Sequence, residues 1–189
     1  MNPRLIAWLS CAAAAAMVLG GCVQSNPRTI NTPAPVITPM FASDAEALAA
    51  ATDAYAAYVR VSDEITGEAG EGTQRIAPFV SKRQLKNEIK AFDYYSANSL
   101  SSQGHTKFDS VSLQSRVENL RGISLIVVYL CSDVAGISLL NVAGTAVTST
   151  ALATRYPLEV EFIATGKTAD LFLIDRSESW QGKNFCLHS

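Results

Sequence analysis

The sequence ISLIVVYLC at residues 123–131 decides the fold class of this chain. The segment is rich in β-branched side chains, which favour extended backbone and pack well on a pleated surface. Gly136 follows shortly afterwards as a turn residue. We therefore predict that residues 123–131 form the central strand of a β-sheet.

Further strands are predicted on both sides of this segment. The clearest is 158–164, in which Leu158, Val160 and Phe162 alternate with glutamates, as expected for a strand with one buried face. Pro157 introduces this strand. The remaining predicted strands lie at residues 108–117, 137–142, 146–148 and 169–175.

An amphipathic helix is predicted at the start of the folded part. Ser43 and Glu46 have the spacing of a capping box, in which each side chain binds a backbone N–H at a helix start. A glycine-rich loop at residues 66–72 ends this helix. Its apolar face, at helical spacing, consists of Leu48, Ala51, Tyr55, Tyr58 and Val59.

Two more helices are predicted before the strands begin. A short one includes residues 75–80, and Ser81 then caps a third helix whose buried stripe is Leu85, Ile89 and Phe92. Helices followed by a run of antiparallel strands indicate an α+β fold. We expect the sheet to curl over the N-terminal helices.

Residues 1–21 have the pattern of a secretory signal peptide. Arg4 supplies the positive start, and the apolar run 5–19 is too short to span a membrane comfortably. Residues 19–22, Leu-Gly-Gly-Cys, resemble the bacterial lipobox, whose cysteine forms a thioether with diacylglycerol. The resemblance implies that Cys22 carries acyl chains such as palmitate. The alternatives are an ordinary secreted protein and an uncleaved anchor helix.

The lipid on Cys22 is expected to hold the protein at the cell membrane, on the extracytoplasmic face. Residues 22–42 contain four prolines among small polar residues, which predicts a tether without helix or sheet. An extended segment docked on the domain is the alternative. Residues 43–189 then form a single folded domain.

The charge of the chain argues against nucleic acid as a partner. The formal net charge is −2, and most basic residues are scattered along the sequence. The exceptions are Lys82, Arg83 and Lys86, which we interpret as one solvent-exposed helix face. Phosphate binding needs a concentrated basic surface. A protein of this composition is therefore not expected to bind nucleic acid.

Cys131 and Cys186 are the two cysteines that fall in the predicted domain. Disulfides persist in exported proteins, so we predict that these residues form a bridge that pins the C-terminal segment to the sheet. Two free thiols are the alternative. A catalytic thiol pair is disfavoured because the sequence has no CxxC motif.

Four segments of the domain carry a resemblance: residues 50–58, 128–134, 171–174 and 179–186. Their order and spacing are similar to those of actinobacterial lipoproteins with an NTF2-like (SnoaL-like) domain, over about residues 43–186. The resemblance implies a cone in which helices pack into a strongly curved antiparallel sheet, with an apolar pocket between them. Proteins of this fold include isomerases, cyclases, dehydratases and non-enzymatic binding or assembly modules, so the fold alone does not decide function.

The sequence offers little for metal or cofactor chemistry. Its only histidines, His105 and His188, have no cysteine or carboxylate at metal-ligand spacing. It also has no nucleophile elbow and no phosphate-binding loop. We expect neither a metal nor a cofactor.

Four residues are candidates for a pocket: Tyr55, Tyr58, Asp93 and Asp133. Asp93 lies near the inner stripe of the third helix and Asp133 follows the central strand, and a pocket carboxylate with a raised pKa acts as a general base. Alternatively, both aspartates lie at the ends of elements and face water. The tyrosines either orient a ligand through their hydroxyls or belong to the core.

The leading hypothesis is a non-enzymatic, lipid-anchored module that binds a small apolar ligand or an envelope protein. The alternative is an enzyme with isomerase or cyclase chemistry that uses a pocket carboxylate as general base. A third possibility is a structural role through a homodimer formed by the sheet.

Overall fold

A computed structural model describes residues 39–119, 123–147, 153–165 and 172–188. The predicted signal peptide and the tether up to residue 38 lie outside these ranges. Within them the α+β prediction is confirmed, because helices precede a curved antiparallel sheet in an arrangement consistent with an NTF2-like cone. The elements in chain order are α1 (Asp44–Gly67), a first 3₁₀ helix (Thr73–Phe79), α2 (Lys82–Ala97), β1 (Ser101–Gln103), β2 (Lys107–Glu118), β3 (Ile123–Asp133), β4 (Ser138–Leu140), β5 (Arg155–Thr165), β6 (Phe172–Ser179) and a second 3₁₀ helix (Phe185–His188).

Helix α1 begins where the capping box predicts. The Ser43 side chain accepts a hydrogen bond from the Glu46 backbone N–H at 3.1 Å. In return the Glu46 carboxylate accepts from the backbone N–H of Ala42 at 2.7 Å, one residue earlier than the usual box. The buried face extends beyond the predicted turns to Val61 and Ile65, so α1 crosses the whole width of the core.

Helix α2 is capped by Ser81 as predicted, but its buried face is different. Gln84, Glu88 and Phe92 are buried, whereas Leu85 and Ile89 are only half-buried. The predicted stripe is therefore correct at Phe92 and wrong by one position at Leu85 and Ile89, where Gln84 and Glu88 are buried instead. The cause is that the Gln84 and Glu88 side chains hydrogen-bond inside the fold, and a satisfied polar group is tolerated in the interior.

The main sheet has four antiparallel strands in the order β2-β3-β5-β6. The β-branched segment at residues 123–131 lies in β3, which pairs with a strand on each side and is central as predicted. Register shifts in β2 between Asp109 and Ser112 and in β5 between Glu161 and Phe162 interrupt the pairing. Such irregularities bend a strand and increase its twist, which suits a curved sheet.

Strand β4 departs from the predicted plan. The expected strand at 137–142 is only three residues long and does not join the main sheet; it pairs with β1 in a separate two-stranded ribbon. Ala146 makes only an isolated bridge to Leu140, and residue 148 lies outside the described ranges. The last strand is described as Phe172–Ser179, and its predicted start at residue 169 lies outside the described residues.

The core lies between the helices and the inner face of the sheet. Residues at alternate positions of β3, β5 and β6 face inward, as the period of a strand requires. The rings of Phe162 and Phe172 stack with centroids 5.0 Å apart. The largest buried apolar side chains are Phe41, Phe92, Phe162, Ile65, Ile76, Ile126, Leu130 and Ile174.

The predicted disulfide between Cys131 and Cys186 is confirmed, with their Cα atoms 5.7 Å apart. Cys131 follows Leu130 in β3 and therefore faces the opposite, outer side of the sheet. There the C-terminal segment covers Tyr129, whose ring lies 4.8 Å from that of Trp180 and 5.9 Å from that of Phe185. The bridge thus fixes a short cover over the outer face of the sheet.

Candidate functional site

A cavity of about 300 Å³ lies between α1 and one end of the main sheet. Most of its lining side chains carry a hydroxyl or a carboxylate, and the aliphatic ones are Val59, Val134 and Leu158. The cavity is therefore mainly polar, whereas the family resemblance implies an apolar pocket. The polar lining residues are Tyr55, Tyr58, Ser62, Asp63, Thr106, Ser132, Tyr156, Ser177 and Ser179.

The strand register explains why distant parts of the chain meet at this cavity. Ser132 in β3 is paired with Tyr156 in β5, and Leu158 in β5 is paired with Ser179 in β6. These pairs bring three strand ends to one end of the sheet. Helix α1 crosses above them and contributes residues Tyr55 to Asp63.

Asp63 is the carboxylate that lines the cavity, and its side chain is 11% exposed. It accepts two hydrogen bonds from Thr106, one from the backbone N–H at 2.8 Å and one from the hydroxyl at 2.7 Å. The Asp63 carboxylate is therefore held in a fixed orientation at the cavity.

A second carboxylate lies directly behind the cavity wall. The Tyr58 hydroxyl donates to Glu88 at 3.0 Å, and the Gln84 side-chain amide donates to the other Glu88 oxygen at 2.7 Å. Asn87 in turn donates to Gln84 at 3.4 Å. This chain of hydrogen bonds fixes Tyr58 and satisfies a glutamate that is 7% exposed.

The two α1 tyrosines are kept in their neutral form by the interior. Burial raises the pKa of the Tyr55 phenol far above its usual 10.0, with further contributions from Tyr156 and from the charge of Glu88, against a hydrogen bond with Ser132. Burial also raises the pKa of Tyr58, and the neighbouring Glu88 adds to this effect. Neutral phenols next to carboxylates act as hydrogen-bond groups and do not serve as anions at physiological pH.

The structure brings together two of the four residues proposed from the sequence. Tyr55 and Tyr58 line the cavity with ring centroids 5.8 Å apart. Asp93 is exposed on α2, and Asp133 binds the backbone N–H of Ala135 and lies 3.8 Å from Arg155. Neither aspartate is part of the lining described above.

Sequence reasoning missed the two carboxylates that the structure places here, although a signal was present. Asp63 follows Tyr55 by eight residues, about two helical turns, and so continues the stripe of Tyr55 and Val59. Glu88 precedes Phe92 by four residues and therefore shares its face. Extending each apolar stripe through its polar members would have marked both residues as facing inward, but would not have given the distant partners that hold them.

Other features of the described residues are less suited to chemistry. No group of histidine, cysteine and carboxylate side chains among them is placed to hold a metal ion. No helix in the described ranges is long and apolar enough to cross a membrane. A second cleft of about 440 Å³ lies between the α2 end and the β4 turn, where Val142 is 89% exposed.

The fold and cavity thus define a class: an α+β domain whose helices cover a curved antiparallel sheet, with a small polar cavity at one end. Among solved structures the chain is similar to the intermembrane-space region of chloroplast protein ARC6, with a TM-score of 0.52 and 12% identity, covering 71% of this chain and 97% of that one. It is also similar to a periplasmic fragment of TraM, with a TM-score of 0.48 and 10% identity over 75% and 100% of the two chains. At such identities only the likeness to the ARC6 region is informative, and it establishes the fold alone. No family model and no curated protein matches the chain.

Proposed function

We propose that this chain is a lipoprotein, anchored to the membrane on its extracytoplasmic face, whose domain binds a small molecule in the cavity between α1 and the sheet. The observation that carries the proposal is the cavity itself, in which fixed polar groups from five separate parts of the chain converge. Convergent polar groups in a concave site are the usual mark of a ligand site.

The anchor rests on the sequence at Cys22, and a feature of the domain supports export. Cys131 and Cys186 form a disulfide, a bond typical of exported proteins and rare in reducing compartments. Metabolic labelling with a clickable fatty acid tests the anchor directly. We expect the label on the wild type and its loss in Cys22→Ser; an unlabelled wild type contradicts the anchor.

The ligand proposed here is polar, in contrast to the apolar ligand expected from the sequence. Burying an apolar molecule against the Asp63 carboxylate and several hydroxyls would remove the water that completes their hydrogen bonds, which costs about 1–3 kcal/mol for each group left without a partner. A polar ligand that replaces the hydrogen bonds of water avoids this cost. An envelope protein remains the alternative partner.

A second candidate function is the enzyme with a pocket carboxylate as general base. It is favoured by one observation, the presence of Asp63 in the cavity lining. A base must release and accept a proton at a free oxygen. Each Asp63 oxygen accepts one hydrogen bond from Thr106 and keeps a second lone pair, so this geometry allows a binding role as well as a base.

Native mass spectrometry of the full chain, purified from its own host in a non-ionic detergent, tests the binding proposal. We expect an added mass on the wild type that is lost on denaturation. Ser177→Trp, which fills the cavity, should lack this mass, whereas Ser115→Trp on the exposed part of β2 should keep it. Equal occupancy in both variants, or no added mass in the wild type, contradicts the proposal. Recovery of a chemically altered ligand would favour the enzyme.

A further inference from the structure

The directions of the hydrogen bonds at the cavity restrict the kind of ligand that fits. A hydroxyl has one hydrogen to donate and two lone pairs to accept with. The Tyr58 hydroxyl donates its hydrogen to Glu88, and the Thr106 hydroxyl donates to Asp63. Toward the cavity, these two oxygens and the Asp63 carboxylate therefore present acceptors only.

The charges around the cavity also favour a ligand that carries a positive charge. Asp63 lines it and Glu88 lies one hydrogen bond behind it, while the described lining residues include neither lysine nor arginine. Arg155, which precedes a lining residue in β5, is occupied by both oxygens of Asp109 at 2.6 and 2.9 Å. The His105 ring lies 3.8 Å from Asp63 but is 90% exposed, so solvent screens its effect.

Three aromatic residues, Tyr55, Tyr58 and Tyr156, also belong to the lining. A cation that lies over the face of such a ring, within about 6 Å of its centre, is attracted to it. The size of the cavity, at the lower end of the usual range of about 300–1,000 Å³, suits a metabolite-sized molecule.

We infer that the cavity selects small molecules that carry an ammonium group, whose N–H donors bind Asp63, Tyr58 and Thr106. This inference rests on the proposed function and specifies the chemistry of its ligand. An ammonium supplies the positive charge that the described lining lacks and the donors that Asp63, Tyr58 and Thr106 can accept. A carboxylate or a phosphate could use the other hydroxyls of the lining as donors, but it would meet the negative charge of Asp63.

Isothermal titration calorimetry of the full chain in non-ionic detergent tests this with three probes of one shape: butylammonium, 1-butanol and butyrate. We expect butylammonium to bind at least 10-fold more tightly than 1-butanol, and butyrate not to bind. Asp63→Asn keeps the size and one acceptor but removes the charge, and it should weaken butylammonium at least 10-fold. Asp93→Asn makes the same charge change at an exposed site on α2 and should leave the affinity within 2-fold.

Each outcome has a definite meaning. If 1-butanol binds as tightly as butylammonium and the Ser177→Trp variant loses both, the cavity binds ligands but the ammonium inference is overturned. If no probe binds the wild type, the inference fails, and the mass-spectrometric experiment above decides the proposed function separately. Should Asp63→Asn unfold by circular dichroism, Glu88→Gln replaces it, with an expected loss of at least 3-fold in butylammonium affinity; no loss overturns the inference.

Discussion

Loss of the disulfide between Cys131 and Cys186 has an effect that can be worked out from the structure. The bridged residues are 55 positions apart. In the chain-entropy model a loop of this length restricts the unfolded state by about 14 cal/mol/K, or about 4 kcal/mol at 25 °C. With a urea dependence of about 2 kcal/mol per molar for a small domain, the double variant Cys131→Ser/Cys186→Ser should unfold at a midpoint about 2 M lower.

Urea unfolding followed by far-UV circular dichroism measures this shift, and the wild type under reducing conditions is the matched control. Trp180 is the single tryptophan after Trp8 and contacts Tyr129, so in a chain without residues 1–21 the tryptophan fluorescence reports on the C-terminal cover. In the double variant, the Trp180 signal should change at lower urea than the circular dichroism. Equal midpoints for the oxidised wild type and the variant would refute the reasoning, as would alkylatable thiols at Cys131 and Cys186 in protein purified without a reductant.

Three further predictions concern the helices and the cavity. Burial raises the pKa of buried phenols such as Tyr55 above 10.0, so at high pH the folded chain keeps protons that the unfolded chain loses. The free energy of unfolding should therefore fall above about pH 10, by up to about 1.4 kcal/mol per pH unit for each such phenol. Tyr55→Phe should flatten this slope in unfolding experiments at alkaline pH, and an unchanged slope contradicts the assignment. Glu88→Leu leaves two donors without an acceptor and should destabilise the fold by about 1–3 kcal/mol in urea unfolding, whereas Glu88→Gln, which keeps an acceptor, should cost less. Gly70→Ala should lower the melting temperature more than Gly144→Ala, since both glycines have positive φ but only a Cβ at Gly70 would clash, with the Phe92 carbonyl; equal losses would show that the contact is unimportant.

Local patterns made part of this fold predictable. The Ser43 and Ser81 caps mark the helix starts because each involves a side chain and a backbone N–H three residues away. The β-branched segment in β3 marks the central strand because its preference is also local. The disulfide was predicted from the expected export of the chain, and the N-terminal sequence supplies that expectation.

The failures involve contacts between residues distant in the sequence. Glu88 is buried because Tyr58, 30 positions earlier, donates to it, and no pattern within α2 reveals that partner. Strand β4 has the composition of a main-sheet strand, yet it pairs with β1, which lies more than 30 residues earlier in the sequence. Asp63 is fixed by Thr106, 43 positions later. In each case, tertiary partners decided the outcome.

The order of the two bridged cysteines affects how the protein matures. Cys131 ends the central part of β3, and Cys186 follows only after β5 and β6. A chain that crosses the membrane with its N-terminus first would present the earlier thiol to an oxidising environment before its partner arrives, and a lone thiolate there can form mixed disulfides with other molecules. The disulfide would then form late and would link strands that have already paired in their final register.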